Sequence, residues 1–501
     1  MKNKDSRIKY NVVSSIVYQV VLLVISFLLP RLYLENFGSE VNGVLSTIKQ
    51  IFAYLILLEA GVGLATTQAL YKKIGENDKA GAGAVLSATN IYYRKTGIIY
   101  LVLVLIIAVI YAFVVPTGMN ELTVFWIVIL TALPSLFSYF IQAKYRILME
   151  VDGRKYVINN SETAVQLVAN IGKVLVLVLT DSLILIQLVY CIISLCQLLF
   201  LYIYAKRRYK WLDLSVKPDF ASIAQKKSVL VHQLSGMVFN NTDIILLSLL
   251  CDFKVVSVYA IYNIFFSQMQ TFITSVVSGF NFALGQMFHA DKEKFLKVFD
   301  IYETLYIGAT FIIYTLMAVF ILPLIQIYTS GVNDANYSNV YLILLFVIMN
   351  LLANGKLPAN IIVEYSGDFR ETRHQAIWEM IINICVSVVA IIYFGICGAI
   401  FGTIAALVYR SIAMIGYSNK NVLGRNAFST YRHWLVNGAV FVIIMAVLFV
   451  DTFSGVSFGK LVLMGILNSV WIVLLYVCAN LLFEKNLIKD IISLRKGDKE
   501  S

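Results

Sequence analysis

The chain has 501 residues, of which 59% are hydrophobic and only 14% are charged, and its mean hydropathy is +0.80. This composition excludes a soluble globular domain, because it leaves too few polar residues to cover a surface exposed to water. The net charge of +11 is spread over short segments beside hydrophobic stretches, which excludes a nucleic-acid-binding patch and favours contact with anionic membrane lipids.

The hydrophobic residues fall into fourteen segments, each long enough to cross a hydrocarbon core of ~30 Å as a helix. Hydrophobicity is continuous within a segment rather than alternating, which favours helices over the strands of a membrane barrel. The sequence therefore predicts an all-α, polytopic membrane protein. In chain order the predicted spans are approximately 11–30, 43–68, 96–115, 122–142, 157–179, 183–205, 229–250, 256–285, 301–328, 339–363, 375–394, 397–417, 433–450 and 461–483.

The basic residues indicate how these spans are oriented. Threading the spans in order places 33 of the 40 Lys and Arg on one side, against only Arg31, Lys254 and Lys460 on the other. Because basic loops resist translocation, the basic side is predicted to be cytoplasmic, and both chain termini lie on it.

A charged connection after the sixth span divides the chain. Residues 14–30 align weakly with 228–244, and a polar stripe on the fifth span recurs on the eleventh at a similar offset. Two copies of a six-helix unit share their orientation, which predicts a pseudo-twofold axis along the membrane normal. The predicted parts are an N-terminal lobe (1–205), a cytoplasmic basic linker (206–228), a C-terminal lobe (229–417), two accessory helices (433–483) and a cytoplasmic tail (484–501).

Four basic residues lie within predicted spans, where an ionisable side chain costs roughly 2.5–3.5 kcal/mol and needs a partner or a wet cavity. Such bases suit a phosphate or diphosphate that is moved between leaflets. An alternative for the last two is that their stems lie along the helix while their charges reach the inner interface. The predicted substrate-binding bases are Lys49, Lys173, Lys356 and Arg410.

Acidic and amide residues in the spans are predicted to line the same cavity. Glu59 alternatively pairs with Lys49 or with a base of the second lobe, and Asp243 is predicted to be hydrated near the outer surface. Pro134 and Pro358 are predicted to break the fourth and tenth spans. The predicted coupling or cavity acids are Glu59, Glu162 and Glu379, and the predicted polar lining residues are Gln166, Asn170, Asn263 and Asn383.

Motifs of enzymes and of metal sites are missing from the sequence. It contains no P-loop, no HExxH, no GxSxG and no Asp-rich diphosphate motif, and its six cysteines show no metal-binding spacing. The sequence therefore predicts neither an enzyme nor a bound cofactor or metal. A polytopic transferase stays open as an alternative, although its chemistry would need larger loops than these.

Residues 14–79 resemble the polysaccharide flippases (Wzx-like) of the multidrug/oligosaccharidyl-lipid/polysaccharide (MOP) exporter superfamily. The resemblance lies in a turn at Phe37-Gly38, in Gly43 at the start of the second helix, and in "EAGVGLA" at 59–65 followed by basic residues. It implies two six-helix lobes and alternating-access export of a polyprenyl-diphosphate-linked oligosaccharide across a bacterial plasma membrane, for capsule or O-antigen-like polymers. It also implies a cationic cavity, with membrane lipids, glycosyltransferases and a polysaccharide polymerase as partners.

Two related functions stay open. A cation-coupled multidrug-type antiporter would depend strongly on Glu59. A flippase for the peptidoglycan lipid precursor is weakened, because such proteins carry arginines on the first, second and eighth helices, whereas here Arg31 is terminal and the second span carries Lys49.

Overall fold

The computed structural model describes residues 2–55, 58–59, 62–76, 78–223, 227–448 and 458–483. Their regular structure is helical throughout, with a π-helical turn at Ser418–Leu423. The α-helices are α1 (Lys2–Leu55), α2 (Val62–Gly75), α3 (Lys79–Phe113), α4 (Glu121–Ile141), α5 (Ala143–Val151), α6 (Lys155–Leu179), α7 (Leu183–Arg208), α8 (Lys227–Leu250), α9 (Phe253–Ala290), α10 (Lys292–Tyr328), α11 (Val340–Gly355), α12 (Leu357–Ser366), α13 (Arg373–Phe394), α14 (Ile396–Tyr417), α15 (Phe428–Val447) and α16 (Phe458–Phe483).

The described part of each predicted span lies on a helix, and eleven of the described helices are long and apolar enough to cross a membrane. The first two predicted spans share α1, which is divided at Gly38 by a backbone φ of 78°. A left-handed φ of this kind is readily adopted only by glycine, and it lies at the predicted outer turn. The all-α, multi-pass membrane class predicted from the sequence is therefore confirmed.

The chain forms two compact units. Unit 1 comprises residues 1–237 with 252–257, and unit 2 comprises 238–251 with 258–501, as far as these residues are described. In unit 1, α3 packs on α4, α4 on α7, and α6 on α7. In unit 2, α10 packs on α11, α11 on α14, and α13 on α14. The third, fourth, fifth and sixth spans of each unit therefore pack in the same pairs.

The two predicted prolines behave differently. Pro358 lies in the first turn of α12, directly after the helix interruption at Lys356, where a missing N–H leaves no hydrogen bond unmade. Pro134 lies inside α4, which continues through it to Ile141, so the predicted break in the fourth span is wrong.

The basic linker packs against the first turns of α3 in unit 1. Ser87 Oγ donates to the Leu214 carbonyl at 3.0 Å, and the Asp219 N–H donates to the Ala84 carbonyl at 3.1 Å. Hydrogen bonds from Ser222 to the Asp219 carboxylate lower its pKa and help to fix the linker's turn. The linker is thus part of the folded unit as far as residue 223.

Helices α15 and α16 pack on α10 within unit 2. Thr315 and Tyr476 share a hydrogen bond of 2.7 Å between their hydroxyl groups, and Asn480 donates to Asn437 Oδ1 at 2.8 Å. These buried polar pairs attach the two predicted accessory helices to the unit by specific contacts.

Candidate functional site

Two of the predicted bases lie close together in unit 1. The ammonium of Lys173 on α6 lies 4.5 Å from the centre of the Tyr190 ring on α7. Lys49 on α1 is exposed, and its charge is near enough to repel that of Lys173. Within the described residues neither lysine forms an ion pair. Two uncompensated positive charges therefore occupy membrane-spanning helices of one unit.

The polar stripe of α6 divides between a pocket and a buried face. Glu162 is paired with Arg146 at 2.5 Å and accepts a hydrogen bond from Tyr18. With Gln166 these residues line a polar pocket of 220 Å³ between α1, α4, α6 and α7. Asn170 is buried and bonds to the Gln166 carbonyl. Glu162 is therefore held by a base from the end of α5, a partner that the sequence pattern did not reveal.

Glu59 lies between α1 and α2, where the second span is interrupted. Its Oε1 accepts a hydrogen bond of 2.7 Å from the Tyr93 hydroxyl on α3. Glu59 forms no ion pair with any described residue, so the predicted pairing with Lys49 is wrong for this structure. The carboxylate is instead fixed by a neutral donor.

The other two predicted bases meet a predicted acid in unit 2. Lys356 donates to Glu379 Oε1, and Arg410 Nε lies 3.4 Å from Glu379 Oε2. All three side chains are at most 13% exposed. Arg410 also donates to the Thr372 carbonyl at 3.3 Å, at the start of α13. The bases are thus not free, as predicted, but share one carboxylate, and the cluster keeps a net charge of +1.

Asp243 is buried at 7% exposure, so its predicted hydration near the outer surface is wrong. The hydroxyls of Tyr259 and Thr403 each donate to its Oδ2 at 2.8 Å, and Asn383 donates to Thr403 Oγ1 at 2.9 Å. Asp243 Oδ1 and Asn383 Oδ1 have no hydrogen-bond donor among the described residues. The signal for this cluster was the position of an acid within an apolar helix, which requires internal partners.

The remaining predicted lining residue, Asn263, is half-buried on α9. Its side chain forms no hydrogen bond within the described part of the chain, so it is not joined to either cluster of unit 2. The described residues also contain no group of three or more His, Cys, Asp or Glu that could hold a metal ion.

Helices α13 and α14 approach each other closely because glycines lie between them. A Cβ on Gly402 would lie 2.0 Å from Ser387 Oγ, and one on Gly398 would lie 2.2 Å from the Ala390 carbonyl oxygen. Ser387 donates to the Ala399 carbonyl across the same contact. The stripe of α13 is therefore buried against α14, whereas that of α6 borders a pocket.

The fold is similar to solved structures of membrane transporters. The lipid II flippase MurJ in an inward closed conformation aligns with a TM-score of 0.63 and 15% identity, covering 95% of this chain and 99% of that one. An inward-facing MATE-family multidrug resistance transporter of the MOP superfamily aligns with a TM-score of 0.58 and 13% identity, covering 87% and 99%. For the Vibrio cholerae MATE transporter VcmN the values are 0.52, 16%, 85% and 100%.

At these identities the similarity shows the fold, which is that of MOP-superfamily transporters. The solved structures that share it are transporters and flippases rather than enzymes. No protein-family model and no curated protein matches the sequence.

Proposed function

We propose that the protein is an alternating-access flippase for a polyprenyl-diphosphate-linked oligosaccharide. It moves this substrate from the inner to the outer leaflet of a bacterial plasma membrane, for the synthesis of a surface polysaccharide. In this account both chain termini are cytoplasmic. Glycosyltransferases supply the substrate, and a polymerase consumes it after it has crossed the membrane.

The observation that carries the proposal is the pair Lys49 and Lys173. Two ammonium groups in membrane-spanning helices repel each other and form no ion pair with the described residues. A diphosphate supplies the missing negative charge and accepts several hydrogen bonds from ammonium donors. A cationic drug would add a third positive charge at the same place, which disfavours the multidrug-type antiporter.

Unit 2 supports an anionic substrate in a second way. Glu379 neutralises only one of its two basic neighbours, Lys356 and Arg410. The excess positive charge is held among side chains that are almost fully buried. An incoming anion therefore competes with Glu379 for the two bases, and the cluster could exchange partners during transport.

A peptidoglycan-precursor flippase is the second candidate, since the structure aligns with a lipid II flippase over 95% of the chain. Lipid-linked oligosaccharides and lipid II share a polyprenyl diphosphate, so the paired lysines fit both. The two differ in the sugars and in the peptide that lipid II carries.

The test is a conditional deletion followed by analysis of lipid-linked intermediates in spheroplasts. The proposal expects lipid-linked oligosaccharide to accumulate in the inner leaflet and surface polysaccharide to disappear. Accumulation of the peptidoglycan precursor would support the second candidate instead. Normal surface polymer without any lipid-linked intermediate would contradict both.

A further inference from the structure

An apolar groove runs along the membrane face of unit 1 between α6 and α7. It has a volume of 530 Å³ and extends along α6 from Tyr156 to Val168. Its wall combines small side chains such as Ala164 and Cys196 with the exposed ring of Phe200. In the predicted orientation this half of both helices lies in the inner leaflet, so the groove is open to lipid chains.

The groove is continuous with the polar pocket described above. Val165 and Gln197 line both, so only these two side chains separate apolar from polar space. Gln197 donates to Ser161 Oγ at 3.1 Å along this boundary. An amphiphilic molecule could therefore place its chain in the groove and its head in the pocket without leaving the unit.

The polar pocket contains a buried acceptor that lacks a donor. Gln142 is 4% exposed, its Nε2 donates to Ser138 Oγ at 3.3 Å, and its Oε1 has no partner among the described residues. Leaving such an atom unsatisfied costs about 1–3 kcal/mol. Arg146, Glu162 and two tyrosine hydroxyls line the same space. This set of donors and acceptors suits a hydroxyl-rich ligand.

Basic side chains lie at the inner end of the groove. Helix α6 begins at Lys155, and the last turn of α7 carries Lys206, Arg207 and Arg208. Bases at this level attract anionic head groups in the inner leaflet. The corresponding helices of unit 2 are closed on each other at Gly398 and Gly402, so the groove is a feature of unit 1.

We propose that the α6–α7 groove binds the polyprenyl chain of the lipid-linked substrate in the inner leaflet, while the adjoining polar pocket holds the sugar next to the diphosphate. This rests on the function proposed above and assigns the substrate's two parts to two neighbouring surfaces of unit 1. Small side chains in the groove leave room for the methyl branches of a polyprenyl chain, and the unsatisfied Gln142 Oε1 accepts a hydrogen bond from a sugar hydroxyl.

The exposed thiol of Cys196 provides a test without any substitution. The full-length protein is reconstituted in phosphatidylethanolamine and phosphatidylglycerol vesicles, treated with N-ethylmaleimide, and analysed by peptide mass spectrometry with and without polyprenyl diphosphate. We expect the probe to slow modification of Cys196 at least fivefold and to leave the exposed Cys385 and Cys478 unchanged. Equal modification, or the same protection from added phosphatidylglycerol, would overturn the proposal, because the groove would then hold ordinary lipid.

A matched pair of substitutions tests the groove in transport. Ala164→Trp fills it with an indole ring, whereas Ile171→Trp places the same ring at a 60% exposed position further along α6. We expect Ala164→Trp to lower the rate of flipping of lipid-linked oligosaccharide at least fivefold and Ile171→Trp to lower it less than twofold. Equal rates in the two variants would contradict the groove assignment. Thermal unfolding of both variants separates blocked binding from loss of folding.

The outcomes separate this proposal from the function on which it rests. If the wild type flips the substrate but Cys196 is not protected, the groove assignment fails and the function stands. If the wild type does not flip the substrate, the proposed function fails, whatever the labelling of Cys196 shows.

Discussion

The ammonium of Lys173 lies 4.5 Å from the centre of the Tyr190 ring, so the aromatic face holds one of the two unpaired bases of unit 1 in place. Such a contact contributes about 0.5–2 kcal/mol. We predict that Tyr190→Leu weakens binding of polyprenyl diphosphate by about 2- to 30-fold, the range to which that energy corresponds. Tyr190→Phe keeps the ring and should bind within twofold of the wild type. Equal affinities of the Leu and Phe variants would show that the ring does not position Lys173.

Glu379 is predicted to be the stabilising centre of the unit 2 cluster. Glu379→Gln leaves the charges of Lys356 and Arg410 without their counter-charge in a nearly dry site, which costs about 3–5 kcal/mol for a buried pair. We expect a clear fall in Tm of the purified protein. The double substitution Glu379→Gln with Lys356→Gln removes one charge of each sign and should recover most of the lost stability. A single variant as stable as the wild type would contradict the buried pairing.

The contact between α13 and α14 should not tolerate even one methyl group at Gly402. A Cβ there would lie 2.0 Å from Ser387 Oγ and 2.5 Å from the Ser387 backbone nitrogen. We expect Gly402→Ala to lower the unfolding free energy by about 1–3 kcal/mol, as overpacking does. Gly416→Ala on the same helix is the control, since a Cβ there meets no atom within 4 Å. Equal Tm values for the two variants would show that the helices can separate without cost.

Asp243 is predicted to be the residue through which an ion gradient acts. Its Oδ1 is buried without a donor beside Asn383, so it can accept a proton or a cation. We expect Asp243→Asn to make flipping in vesicles insensitive to imposed proton and sodium gradients. Glu59→Gln should retain that sensitivity, because Glu59 is only half-buried and is held by Tyr93. Loss of gradient dependence in the Glu59 variant alone would favour the cation-coupled antiporter.

The sequence was sufficient to predict the helices, because continuous hydrophobic stretches leave no other way to satisfy backbone groups in lipid. It also predicted the turn at Gly38 and the interruption before Pro358, since each depends on a local backbone preference. The continuation of α4 through Pro134 was missed, because the packing around a helix decides whether a proline breaks it.

The partners of the charged residues could not be predicted, because they depend on how each helix is rotated against its neighbours. Glu379 meets Lys356 from 23 residues away, and Asp243 meets Thr403 from 160 residues away. Periodicity identified the stripe of Glu379 and Asn383 as one face of α13. It could not show that this face is buried on α14, while the matching face of α6 borders a pocket.

The most direct test of the central claim is a leaflet-transfer assay in proteoliposomes. A fluorescent lipid-linked oligosaccharide is placed in the inner leaflet, and its appearance outside is followed by quenching. We predict transfer by the wild type, and by Lys155→Met, which removes a half-exposed base paired with Glu150. The double substitution Lys49→Met with Lys173→Met should reduce transfer at least tenfold, because each charge-assisted hydrogen bond to diphosphate contributes about 1.5–3 kcal/mol. Transfer by the double variant at the wild-type rate would contradict the account.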